Sequence, residues 1–195
     1  MKKIKILALN KDSSGSKFHR VVSPLSVLAD KYDNYEIHLF DEKYINEDIA
    51  KNYDIIYIHW TQLTRCEMLS LWQQKYNFKI IQDIDDYWVL PLNHPTKINM
   101  DKMIWQLENQ MILADYILVS TEELKEKASK YNKDIFLKKN FLPTEFNSGE
   151  NQFKVTSRDF YRNQKLNIGI CGSISHVNDW LSISSQIYKI KTDKF

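Results

Sequence analysis

Short apolar runs alternate along this chain with segments that read as helices, and this alternation constrains the fold more than any other feature. Residues 4–9, 35–40, 54–60, 79–84, 116–119 and 134–137 read as strands, rich in Ile, Leu, Val and Tyr. Residues 18–31, 63–76, 99–114 and 120–131 read as the helices between them. Strands separated by helices predict an α/β layer: a doubly wound, Rossmann-like parallel sheet with helices on both faces. Right-handed crossovers follow from strand twist. Pro24 sits inside the first helix and marks either a kink or its true start. Ser120 reads as the N-cap of the last of these helices, with Glu123 three residues on.

This layer accounts for residues 1–145. With 195 residues, 43% of them hydrophobic, the chain has room for one medium domain and a piece of another. Residues 146–165 are polar and read as a linker or crossover. Residues 166–173 then look like a fresh strand running into a glycine turn, and 178–190 like a helix. A lone strand and helix cannot bury a core of their own. Residues 166–195 are therefore expected to open a second α/β domain that is truncated here.

Composition excludes several classes. A net charge of +2 makes no electrostatic case for nucleic acid, which favours a clustered basic face. Cys66 and Cys171 have neither CxxC nor Cys/His spacing, which argues against a disulfide scaffold or a zinc site. The apolar stretch after Met1-Lys2-Lys3 is cut short by Asn10-Lys11-Asp12, unlike a signal peptide. No window approaches the roughly 18 apolar residues of a membrane helix. A cytoplasmic protein without a transmembrane segment is expected.

Four places carry residues suited to chemistry. The loop after the first strand holds Ser14, Gly15 and Ser16, followed by Lys17, His19 and Arg20. Small residues there let backbone N–H groups approach an anion, and the basic residues add donors. Neither GxxxxGK[ST] nor GxGxxG is present. His59 and Trp60 close the third strand, at the sheet edge where ligands bind; His59 is a candidate base or donor. The fourth strand runs into Asp83, Asp85 and Asp86, then Tyr87 and Trp88. Alternation would send Asp83 and Asp85 to one face, where carboxylates bind sugar hydroxyls, share a proton or hold a cation. Tyr87 and Trp88 are suited to stacking on a sugar ring, and His94 follows. Read structurally, the same run is a solvated strand exit with Trp88 in the core. Gly172 and Ser173 form a turn able to cradle a diphosphate, or simply a tight turn.

In order, these pieces resemble the two-domain GT-B glycosyltransferases, in the branch grouped as glycosyltransferase group 1 or family 4. The matching segments are Gly15-x-x-x-x-Arg20 with Pro24, and Asp83-Ile84-Asp85-Asp86-Tyr87-Trp88 with Pro91 and Asn93-His94-Pro95. Ala114-Asp115-Tyr116-Ile117-Leu118-Val119-Ser120-Thr121 and Ile168-Gly169-Ile170-Cys171-Gly172-Ser173 complete the set. The resemblance implies transfer of a sugar from a nucleotide-sugar co-substrate to a carbohydrate, lipid or protein acceptor, with no cofactor and usually no metal. It implies Ser14, Gly15, Ser16, Arg20, Gly172 and Ser173 near the donor phosphates. Asp83, Asp85, Asp86 and His59 are the catalytic candidates, with His19, Trp60, Trp88 and His94 on the acceptor side. The chain departs from the family at Asn140-Phe141, where relatives have Asn-Gly, and it ends before their Glu-x7-Glu segment. Weak or no activity of the chain alone is expected. The alternative is an inactive GT-B-like binding or assembly module, self-associating through its C-terminal helix. A weaker third reading takes Asp-x-Asp as the metal site of a single-domain sugar transferase.

Overall fold

The computed structural model describes residues 3–10, 15–59, 63–94, 97–101, 103–140 and 177–187. The chain divides into two compact units, Met1–Val89 with Lys102–Pro143, and Leu90–Asp101 with Thr144–Phe195. In the first unit, β1 (Ile4–Asn10), β2 (Tyr35–Asp41), β3 (Ile55–His59), β4 (Lys79–Ile84), β5 (Tyr116–Val119) and β6 (Ile135–Leu137) form one sheet. All its pairings are parallel, in the order β2-β1-β3-β4-β5-β6. The expected doubly wound α/β layer is the fold observed.

The helices are α1 (Gly15–Lys17), α2 (Ser23–Lys31), α3 (Glu47–Ala50), α4 (Leu63–Tyr76), α5 (Lys97–Asp101), α6 (Ile104–Leu113), α7 (Glu122–Ala128) and α8 (Val177–Ile187). Alternation along the strands divides the core in two. On one face Leu7, Leu9, Ile56, Ile58 and Ile80 pack with Ala50 of α3 and Cys66 and Leu69 of α4. On the other, Ile6, Ala8 and Tyr57 pack with Val21 and Leu25. Full burial of an aliphatic side chain is worth about 1.5–3 kcal/mol, so these two faces hold the layer together. The α2 crossover runs from β1 to β2 and later crossovers run the opposite way along the sheet. Uniform handedness therefore puts their helices on opposite faces.

Three details differ from the sequence reading. A π-helical turn, Phe18–Val22, joins α1 to α2, with Ser23 N–H bonded to the Phe18 carbonyl five residues back. Pro24 lies in the first turn of α2 and has no N–H to offer the Arg20 carbonyl four residues earlier. Second, the single helix expected over 99–114 is two. α6 buries Leu107, Gln110 and Met111, whereas Ile98 of α5 is 73% exposed. Helical periodicity cannot register where a helix loses its packing surface. Third, Thr121, not Ser120, caps α7: its hydroxyl accepts from Leu124 N–H at 3.2 Å. At the end of α4, Asn77 takes a left-handed conformation (φ 59°), which Asn tolerates, and its N–H bonds the Gln73 carbonyl at 2.7 Å.

The described part of the second unit contains α5 and α8. On α8, Leu181 is 66% and Ile183 46% exposed. The expected linker over 146–165 and strand over 166–173 lie outside the described residues.

Candidate functional site

Strand order fixes where a site can form. The crossovers reverse between β1 and β3, and in open α/β sheets ligands bind beyond the carboxyl ends of the strands at such a reversal. Register there sets Asn10 opposite His59, and His59 opposite Asp83. His59 follows Tyr57 by two and Asp83 follows Ile81 by two, so both point to the face that packs on Val21 and Leu25.

Beneath this edge lies a buried polar cluster. Arg20 is 1% exposed and Asp83 fully buried. Arg20 Nε donates to Asp83 Oδ1 at 3.0 Å, and Nη2 donates to the same oxygen. Arg20 Nη1 donates to the Lys138 carbonyl and, at 2.9 Å, to Asn140 Oδ1. In return Lys138 Nζ donates to the Arg20 carbonyl, to Asp83 Oδ2 at 2.8 Å and to the Tyr57 hydroxyl at 2.7 Å. The Tyr57 hydroxyl contacts Asp83 Oδ2 and lies 3.0 Å from the Arg20 carbonyl, the group Pro24 cannot bond. Each cation thus holds the other's backbone carbonyl, with Asp83 between them. Burial, then the Asp83 charge, pushes the Tyr57 hydroxyl well above its usual range. Desolvation pulls Lys138 down, against the attraction of Asp83.

Outside the cluster, His59 Nε2 lies 3.4 Å from Asp85 Oδ1. Those side chains are 4% and 9% exposed, so the pair sits at the boundary of the interior. The Asp85 carbonyl accepts from Ser120 Oγ at 2.9 Å, tying the β4 exit to the β5 exit; Ser120 does this instead of capping α7. Asp85 also lines an open pocket of about 340 Å³ with Asp86, Tyr87, Thr121, Glu123, Leu124 and Lys127. The Tyr87 ring packs on Trp88 at 5.4 Å between centroids, and Trp88 packs edge-on against Tyr131 at 6.1 Å. Tyr131 in turn donates to Glu108 at 2.5 Å, and burial followed by that bond pushes it up to about 12.

The structure thus brings Arg20 and Asp83 together internally, and His59, Asp85 and Asp86 at the sheet edge. Trp88, 2% exposed, is a core residue that supports Tyr87. His19 is exposed, its ring edge-on to Phe18 at 5.3 Å. Gly15 and Ser16 open α1. His94 belongs to the second unit, where its carbonyl accepts from Lys97 N–H at 3.0 Å. Ser14, Trp60, Gly172 and Ser173 lie outside the described residues. Tyr57 and Lys138 escaped the sequence reading. A hydroxyl among aliphatics in β3 and a lysine just past β6 are their faint signals. Among the described residues, no group of three or more His, Cys, Asp or Glu is placed to hold a metal. None of the described helices is long and apolar enough to cross a membrane.

No family model and no curated protein matches the chain. Among solved structures, an aminotransferase from Neisseria meningitidis Z2491 aligns at 15% identity with a TM-score of 0.33. The alignment covers 53% of this chain and only 28% of that one, a likeness too slight to carry a fold or an activity across.

Proposed function

We propose that this chain forms the acceptor side of a GT-B-like glycosyltransferase, which moves a sugar from a nucleotide-sugar to an acceptor hydroxyl. The observation that carries the reading is the His59–Asp85 pair. It stands at the carboxyl edge of the sheet, one strand from the crossover reversal, and Asp85 opens onto a pocket of ligand size. Asp85 accepts the proton of the acceptor hydroxyl as that oxygen bonds the anomeric carbon. The bond from that carbon to the diphosphate oxygen breaks, and the nucleoside diphosphate leaves with the electron pair. His59 orients the Asp85 carboxylate through Nε2. Asp86 and Tyr87 hold the acceptor.

Arg20, Lys138 and Asp83 act from below. Two cations against one carboxylate leave this buried cluster one positive charge, set apart from the acidic rim of Asp85 and Asp86, and in this reading that charge faces the diphosphate. Asp83 positions the two cations and does not touch substrate. Gly15, Ser16, Gly172 and Ser173 are assigned to the donor phosphates in this reading, which makes the protein a cytoplasmic transferase with no cofactor beyond its co-substrate.

The test is transfer of isotope from pooled sugar nucleotides by the protein expressed from its own reading frame. Asp85→Asn is expected to lower turnover about 10²–10⁴-fold, the usual worth of a positioned base. Its melting temperature should stay within a few degrees of the parent. Unchanged turnover in this variant would remove Asp85 from the mechanism, and no turnover by the parent with any donor would remove the transferase reading.

A further inference from the structure

The pocket beside Asp85 has a more specific chemistry than a generic sugar site. Its volume of about 340 Å³ lies at the small end of the roughly 300–1,000 Å³ range of small-molecule pockets, room for one or two sugar rings. Tyr87 offers a ring that is 43% exposed and braced from behind by buried Trp88, itself held by Tyr131. A rigid exposed aromatic of this kind stacks on the apolar face of a ring and asks little ordering of its own. Leu124, 5% exposed, adds an apolar patch. Among the described residues the charged lining is Asp85, Asp86 and Glu123 with Lys127, and Thr121 adds a hydroxyl. The Glu123 carboxyl is held below its usual range by its own N–H and then by the Thr121 hydroxyl, so it stays ionised at neutral pH.

We infer that this pocket takes a hydroxylated ring bearing an ammonium group, an amino sugar or amino cyclitol, in preference to a neutral ring, and rejects an anionic one. The inference rests on the reading of this edge as the acceptor side. It narrows that side to acceptors whose terminal ring is cationic or neutral, against uronic acids and phosphorylated sugars. Tyr87 supplies contact common to every ring, whereas the carboxylates supply the discrimination. Asp85 joins the pocket to His59, so a ring stacked on Tyr87 presents its hydroxyls to the proposed base.

The test titrates the 195-residue chain with three rings of one shape: methyl glucosaminide, methyl glucoside and methyl glucuronide, followed by calorimetry and saturation-transfer NMR. Affinity is expected to fall in that order, by about two- to fivefold per step, as suits exposed charge pairs. Salt at roughly 0.5 M should compress the steps, since it screens surface charge. Tyr87→Ala should weaken all three glycosides about two- to tenfold. Asp86→Asn and Glu123→Gln should each narrow the gap between glucosaminide and glucuronide. Glucuronide binding as tight as glucosaminide, no effect of Tyr87→Ala, or no binding by any glycoside would each overturn the inference. Binding in the expected order without sugar-nucleotide turnover by the protein from its own reading frame would sink the transferase reading and leave the pocket assignment standing. Turnover with the order reversed would do the opposite.

Discussion

Arg20 and Lys138, 118 positions apart in sequence, each donate to the other's backbone carbonyl and to opposite oxygens of one carboxylate. Such reciprocity makes Asp83 the residue the cluster cannot lose. Asp83→Asn would leave buried Arg20 and partly buried Lys138 facing each other without this counter-charge. It is expected to cost about 3–5 kcal/mol of stability, the range for breaking a buried ion pair from one side. Urea denaturation followed by circular dichroism reads this directly, and a loss below about 1 kcal/mol would mean that solvent already reaches the cluster. Replacing Arg20, Asp83 and Lys138 together with apolar residues is expected to cost less than the single change, because no charge is then stranded. Pro24 contributes by omission. Without an N–H it leaves the Arg20 carbonyl open to the Tyr57 hydroxyl and Lys138.

At the level of elements, the β5–α7 junction separates two jobs that the sequence merges. Ser120 and Thr121 are adjacent hydroxyl residues, and either suits an N-cap. The backbone turn gives the cap to Thr121 and sends Ser120 across to the Asp85 carbonyl. Thr121→Ala should therefore cost about 0.5–2 kcal/mol of stability through α7. Ser120→Ala should leave the helix intact and loosen the β4 exit, lowering transfer or glycoside affinity instead. Thermal melts alongside glycoside titration separate the two, and matching losses in both variants would count against this division. The same lesson holds over 99–114, where one helical pattern falls on the end of α5 and on α6, in different units. Periodicity specifies a helix but not the surface on which it packs.

Across the first unit, the sheet's inner layer is closed enough to protect a reactive group. Cys66 of α4 sits among Leu7, Ile56 and Leu69 at 3% exposure, and burial pushes its thiol up. Thiolate is the form that alkylates, so both access and ionisation suppress its reaction in the folded state. Iodoacetamide labelling of Cys66, read by peptide mass spectrometry across a urea series, should follow the loss of helical signal. Fast labelling in native buffer would show that the α4 side opens locally. A parallel sheet buried on both faces explains why this should be a property of the whole unit: α4 cannot lift from the sheet without exposing the core of β1 and β3.

The sequence by itself determined the layer. Short apolar runs alternating with segments at helical period leave few alternatives to a parallel sheet wound with helices, and the sheet has all six strands where that pattern put them. It also marked the carboxyl edge, because His59, Asp83 and Asp85 stand at strand exits. Only the tertiary structure decided which carboxylates face inward. Asp83 and Asp85 are two residues apart, yet one meets Arg20 and Lys138 in the interior and the other meets His59 beside a pocket. That outcome depends on strand register and on a lysine that arrives from β6, and distances through space of this kind leave no trace in local composition. Trp88 went the same way: beside an acidic run it reads either as a stacking surface or as core, and the fold buries it and leaves Tyr87 exposed in front of it.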